Sequence, residues 1–140
     1  MKKILIVNAN YYKNISKKLI ISSKKRLNNK IKISVINVPG IYEIPIAIRK
    51  NIKKFDGFIA LGCVIKGQTP HFDLICFSTF NAILNLSINF NKPIGNGIIT
   101  AYNMKQAIQR SKSATSKKPN KGSEAANAVM SILQNGPKKI

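Results

Sequence analysis

The stretch Leu61-Gly-Cys-Val-Ile-Lys-Gly-Gln-Thr-Pro-His-Phe-Asp73 holds the only histidine of the chain and one of its four acidic residues. An imidazole titrates near neutrality, so His71 is equipped to give or take a proton during a reaction. The plainer alternative is a helix-start side chain with no chemical part. Gly67, Gln68, Thr69 and Pro70 before it make a turn pattern leading into a helix. Backbone N–H groups of Gln68 and Thr69, pointing outward at such a start, would suit a phosphate. Asp73 either orients the imidazole or favours the first helical turn.

Other candidates are spread along the chain. Tyr11 and Tyr12 offer a ring to stack on a planar heterocycle, or a loop aromatic that caps the core. In Pro39-Gly-Ile-Tyr-Glu-Ile-Pro45, Glu43 either accepts hydrogen bonds from substrate hydroxyls or complements a helix dipole. Arg110 is one of three arginines among 24 basic residues. It either offsets a helix C-terminus or forks onto a phosphate as lysine does not. Lys121, in Asn120-Lys-Gly-Ser-Glu124, opens a helix against its dipole and so asks for another reason to be there. Gly95-Asn96-Gly97 inside an apolar run implies close approach of another element. There is no metal-ligand set, no Ser/His/Asp spacing, no Walker pattern and no dinucleotide fingerprint, so no metal and no cofactor are expected.

Strand and helix patterns alternate in a way that brings these residues together. Apolar runs of strand length occur at Ile4–Asn8, Ile31–Val38, Phe58–Ile65 and Pro93–Thr100. Helical spacing is read over Ser16–Asn28 (with Ser16 as N-cap), Glu43–Lys53, His71–Ile88, Asn103–Arg110 and Asn120–Gln134. Ser111–Pro119 is polar and basic and reads as a loop. Strand–helix alternation implies an α/β fold in three layers: a four-stranded parallel sheet, flavodoxin-like in order 2-1-3-4, with helices on both faces. The unusual residues then fall just past the carboxyl ends of the strands, where such sheets bind ligands. The helix from His71 is apolar on more sides than one sheet can cover, so it is either sandwiched or contacts another subunit.

With 140 residues, 44% of them hydrophobic, and a mean hydropathy of -0.05, residues 1–140 are expected to form one soluble domain. No apolar run approaches the roughly 18 residues of a membrane span. The start reads as a first strand rather than a signal peptide, which makes a cytoplasmic location the default. Cys63 and Cys76 are expected to be reduced core thiols. The net charge of +20 would suit nucleic acid, yet aromatics are not interleaved with the lysines as in readers of single strands. Nucleic acid is therefore not expected as the primary partner.

Taken together, Val38–Pro45, Ala60–Asp73, Pro93–Thr100 and Asn120–Ala126 resemble the 6,7-dimethyl-8-ribityllumazine synthase family, collinearly over nearly the whole chain. The resemblance implies a transferase of riboflavin biosynthesis. Its substrates would be 5-amino-6-(D-ribitylamino)uracil and 3,4-dihydroxy-2-butanone 4-phosphate, with release of phosphate and water. By position it implies His71 as proton donor and Tyr11 stacked on the pyrimidine. Ile41, Tyr42 and Glu43 would meet the ribityl chain and ring, and the backbone of Cys63, Val64 and Ile65 the pyrimidine. Gln68 and Thr69 would bind phosphate with Arg110 as a clamp, and Lys121 would line the same pocket. Asn96 stands where many members place an aromatic that enters a neighbouring subunit's pocket. The family also implies a homopentamer or a pentamer-based shell with sites between subunits, and a functional association with riboflavin synthase.

Overall fold

A computed structural model describes residues 1–113 and 120–140. Strands β1 (Lys3–Ala9), β2 (Lys32–Val38), β3 (Gly57–Ile65) and β4 (Ile94–Ala101) form one parallel sheet in the expected order β2-β1-β3-β4. Its central strands are apolar on both faces, as burial under two helical layers requires. Helices α1 (Lys13–Arg26), α4 (Met104–Ser111) and α5 (Lys121–Gln134) cover one face. Ile15 and Leu19, four residues apart on α1, join Ile4, Ile6, Ile59, Leu61 and Val129 in that core. A 3-10 turn (Ile41–Glu43), α2 (Ile44–Lys50) and α3 (His71–Phe90) cover the other, around Leu5, Val7, Phe58, Ile44, Ile48 and Ile83.

The glycines of β4 explain how closely the first layer packs. A Cβ on Gly95 would strike the Ala125 carbonyl of α5, and one on Gly97 would lie 2.5 Å from the Leu61 side chain. The implied close approach is therefore that of α5. Asn120 fixes the start of this helix. Its Oδ1 accepts from the Ser123 N–H at 3.0 Å while its Nδ2 donates to the Lys112 carbonyl at 2.8 Å. Asn103 caps α4 in the same way, through the Gln106 N–H at 2.9 Å.

Several elements depart from the sequence expectations. Ser16 is not the N-cap of α1. The helix starts three residues earlier so that Ile15 is buried with Leu19, and the Ser16 hydroxyl donates back to the Tyr12 carbonyl at 3.0 Å. Glu43–Lys53 is not one helix. Pro45 has no N–H and fits only the first turn, so α2 begins at Ile44 behind a 3-10 turn and stops at Asn51. Ser111 belongs to α4 and is buried, while the expected loop at 114–119 lies outside the described residues. His71–Phe90 is, by length and composition, long and apolar enough to cross a bilayer, contrary to the expectation that no run approaches that length. It packs on α2 and β4 through buried Ile83, and ends at Asn91 in a left-handed cap (φ 53). Leu74, Phe77, Leu84 and Ile88 stay exposed along it.

Candidate active site

The site originates in unequal strand lengths. β1 pairs with β3 only as far as Asn8↔Leu61, whereas β3 continues against β4 to Ile65↔Ala101. Beyond Asn8 the chain keeps to β2: Ala9 pairs with Val38, and the Asn10 N–H donates to the Val38 carbonyl at 3.1 Å. A crevice therefore opens between β1 and β3, at the point where the strand order reverses. Backbone groups of residues 62–65 that face β1 have no strand partner there and are available to a planar polar ligand.

A cleft of ≈ 240 Å³ occupies this crevice. It is lined by Tyr11, Ile41, Tyr42, Cys63, Val64, Ile65 and His71, so seven candidate residues from four separate segments meet in one place. Gly62 makes this possible. A Cβ there would come within 2.8 Å of the Ile41 side chain and 3.0 Å of Ala9, lifting the 3-10 turn off the sheet. Tyr11 and Tyr12 both line the cleft but differ in exposure. Tyr12 packs against the core, whereas Tyr11 is 75% exposed and edge-on to it at 4.9 Å. Tyr11 is thus the ring free to stack on a ligand. Glu43 does not line the cleft, though its Oε2 would lie 3.7 Å from a Cβ placed on Gly40, a cleft residue.

His71 is exposed and is the first residue of α3, with Pro70 at the N-cap. Its helix therefore presents first-turn N–H groups beside the imidazole. Gln68 and Thr69 precede the helix rather than open it, in an exposed bend. Among the described residues their N–H groups donate to no backbone carbonyl, which leaves them free for an anion. Gly67 is not needed for a left-handed turn, since no glycine has positive φ. A Cβ there would meet open space.

Burial biases both thiols toward the protonated form. Burial pushes Cys63 up to about 11, and Cys76 is raised by burial and then by the Asp73 carboxylate. Burial, with smaller contributions from Cys63 and Tyr11, also raises the Tyr12 phenol. His71 is the one imidazole that lines the cleft. No group of three His, Cys, Asp or Glu that could hold a metal exists among the described residues.

Asn96, Arg110 and Lys121 are not brought to this cleft on the same chain. Asn96 pairs with Ala60, five residues before the end of β4, or about 16 Å back along the strand. Its Oδ1 accepts from the Ile98 N–H at 3.1 Å. Arg110 is exposed in the last turn of α4. Lys121 opens α5 as expected, and Glu124 at 3.5 Å offsets the dipole it opposes. Ala9, Gly40 and Ile75 also line the cleft and were not singled out from sequence. Ile75 was within reach, being four residues after His71 on one helical face. A larger hollow of ≈ 440 Å³ between the end of α3 and α5 has Lys92 as its one charged group. That ammonium is already bonded to the Ile52 and Phe55 carbonyls.

An open parallel sheet with a ligand crevice at its switch point, an imidazole on a helix start and a free anion-suited turn defines a flavodoxin-like α/β enzyme fold. Residues 1–135 match the family model described as 6,7-dimethyl-8-ribityllumazine synthase. Curated proteins of that name from Campylobacter jejuni are 39% identical, over 94% of this chain and 87% of theirs. Those from Bartonella bacilliformis (38%; 93% and 87%) and Methylorubrum populi (35%; 94% and 80%) are similar over nearly as much. The chain belongs to the 6,7-dimethyl-8-ribityllumazine synthase family.

Proposed function

We propose that this protein condenses 5-amino-6-(D-ribitylamino)uracil with 3,4-dihydroxy-2-butanone 4-phosphate to form 6,7-dimethyl-8-ribityllumazine, the penultimate step of riboflavin biosynthesis. The observation that carries the site assignment is the crevice where β3 outruns β1. The pyrimidine lies there, held by backbone groups of Cys63, Val64 and Ile65 and stacked on Tyr11. Ile41, Tyr42 and Glu43 meet the ribityl chain and ring. The phosphate lies on the Gln68–Thr69 bend beside the first turn of α3. The 5-amino group attacks the ketone and water leaves to give an imine. Elimination of phosphate leaves an enol that tautomerises to a ketone, and attack of the ribitylamino nitrogen on this new carbonyl closes the ring with loss of a second water. Each step moves protons without a protein nucleophile, so positioning and one proton donor, His71, suffice.

Asn96, Arg110 and Lys121 act in this proposal on the cleft of a neighbouring copy, because their own chain holds them away from its own cleft. The exposed apolar side of α3 supports such an assembly, a homopentamer or a shell of pentamers. A cytoplasmic location and a functional association with riboflavin synthase complete the proposal. The test is turnover of both substrates by purified protein, followed by the absorbance of the lumazine. His71→Ala is expected to lower kcat about 10²-fold. Absence of turnover in the native protein would defeat the activity, and an unchanged rate in the variant would remove His71 from it.

A further inference from the structure

Apart from Lys66, Arg110 and Lys121, many of the basic residues lie away from the Gln68–Thr69 bend. Glu43 and Asp73 lie at helix starts on the pole that carries the cleft, and Glu124 lies in the first turn of α5. The opposite pole, where the strands begin, has Lys2 just before β1 and Lys3 at its start, Lys30 and Lys32 at β2, and Lys53 and Lys54 before β3, all exposed. Lys3 and Lys32 are register partners on adjacent strands. With strands about 4.8 Å apart, these lysines form a row of about 10 Å along the sheet's lower edge. The last turn of α1 adds Lys24, Lys25 and Arg26.

Helix dipoles account for the cations of that last turn, but not for those at strand starts and in turns. Asp56 is the single carboxylate on this pole, and its Oδ2 accepts from the Lys3 backbone N–H at 2.8 Å. None of the row forms an ion pair; Lys121–Glu124 is the single one among the described residues. An unpartnered row of like charges works against folding, so an external polyanion would relieve repulsion as well as gain contacts. An open groove of ≈ 440 Å³ runs along the same pole, with Lys2, Lys30 and the Asp56 carboxylate on its walls and Ile31 and Leu133 among its other residues.

We propose that this pole binds the phosphate backbone of single-stranded RNA, independently of the cleft and of its reaction. Sequence-tolerant backbone contact is the mode that fits, since no exposed aromatic stands among the row's lysines to stack a base. An anionic bilayer fits less well. Surface-bound proteins pair basic residues with a broad apolar face, and the exposed apolar face here lies on α3.

The experiment is fluorescence anisotropy of a labelled oligouridine of about twenty nucleotides with the full chain, across a salt series including about 150 mM. A variant with Lys30, Lys32, Lys53 and Lys54 all changed to Gln is compared with one carrying Lys13→Gln, Lys17→Gln, Lys18→Gln and Lys105→Gln. The two remove equal charge from different surfaces. The first is expected to lose affinity roughly tenfold or more at about 150 mM and to flatten the log–log salt slope by about 3, with turnover unchanged. The second should stay within about threefold of the native chain. Equal losses in both variants, no binding by the native chain at that salt, or tighter binding to phosphatidylserine vesicles than to RNA would each overturn the proposal.

Discussion

On one side of the sheet, α1, α4 and α5 enclose a core that includes Ile4, Leu19, Ile59, Ala126 and Val129, with the helices seated against glycines and tied by Asn120. On the other side, α3 buries Thr79 and Ile83 but turns Leu74, Phe77, Leu84 and Ile88 to solvent. The same sheet thus carries one layer that is complete within a single chain and one that is not. Even the polar details differ: Ser23 on α1 donates to the Gly122 carbonyl at 3.0 Å, whereas the buried Thr79 hydroxyl of α3 has no partner among the described residues. The first layer stabilises the fold. The second, which also carries His71, leaves an apolar face exposed.

Three changes would break or sharpen that contrast. Gly95→Ala places a methyl group against the α5 backbone, where no flexible side chain yields. It should destabilise the chain by about 3 kcal/mol, measured by urea unfolding. A loss below about 0.5 kcal/mol would mean that α5 moves aside and the first layer is looser than its packing indicates. Phe77→Asp, at a side chain 71% exposed, should leave the single chain's folding nearly intact while weakening assembly by about 2 kcal/mol per contact. Light scattering would then report a fall in mass with little change in Tm. An unchanged mass would show that the open layer is not an assembly face.

The smallest effect concerns Cys63, whose thiol faces the complete layer. Its value is raised by burial from 9.0 to about 11, so the folded state holds this proton more tightly than the unfolded state does. The associated stability is present in full below pH 9 and is lost as pH rises towards and through 11. The native chain should lose about 1 kcal/mol more than Cys63→Ala between pH 8 and 10. Parallel pH–stability curves for the two proteins would place Cys63 in a wetter setting than the closed layer provides.

How much of this could be read in advance depended on whether the signal was local. Asn103 and Asn120 marked helix starts because a side-chain cap acts within three residues. The start of α1 was missed because Tyr12 offers no such cap and the burial of Ile15 against the sheet set the boundary. The His71 turn was legible because its parts are contiguous. The exposure of α3 was legible because its apolar residues exceed one face.

The order of strands and helices, the residues set beyond the strand ends and the apolar surplus of α3 were determined by the sequence, since apolar periodicity and chain connectivity leave few other solutions. Only the tertiary structure decided which candidates share a cleft. The early parting of β1 from β3 gathers Tyr11, Tyr42, Cys63 and His71. The rise of a strand, about 3.3 Å per residue, leaves Asn96 far down β4 and out of reach. It also decided where the lysines gather, because strand starts and helix ends scattered along the chain become one pole only when the sheet forms.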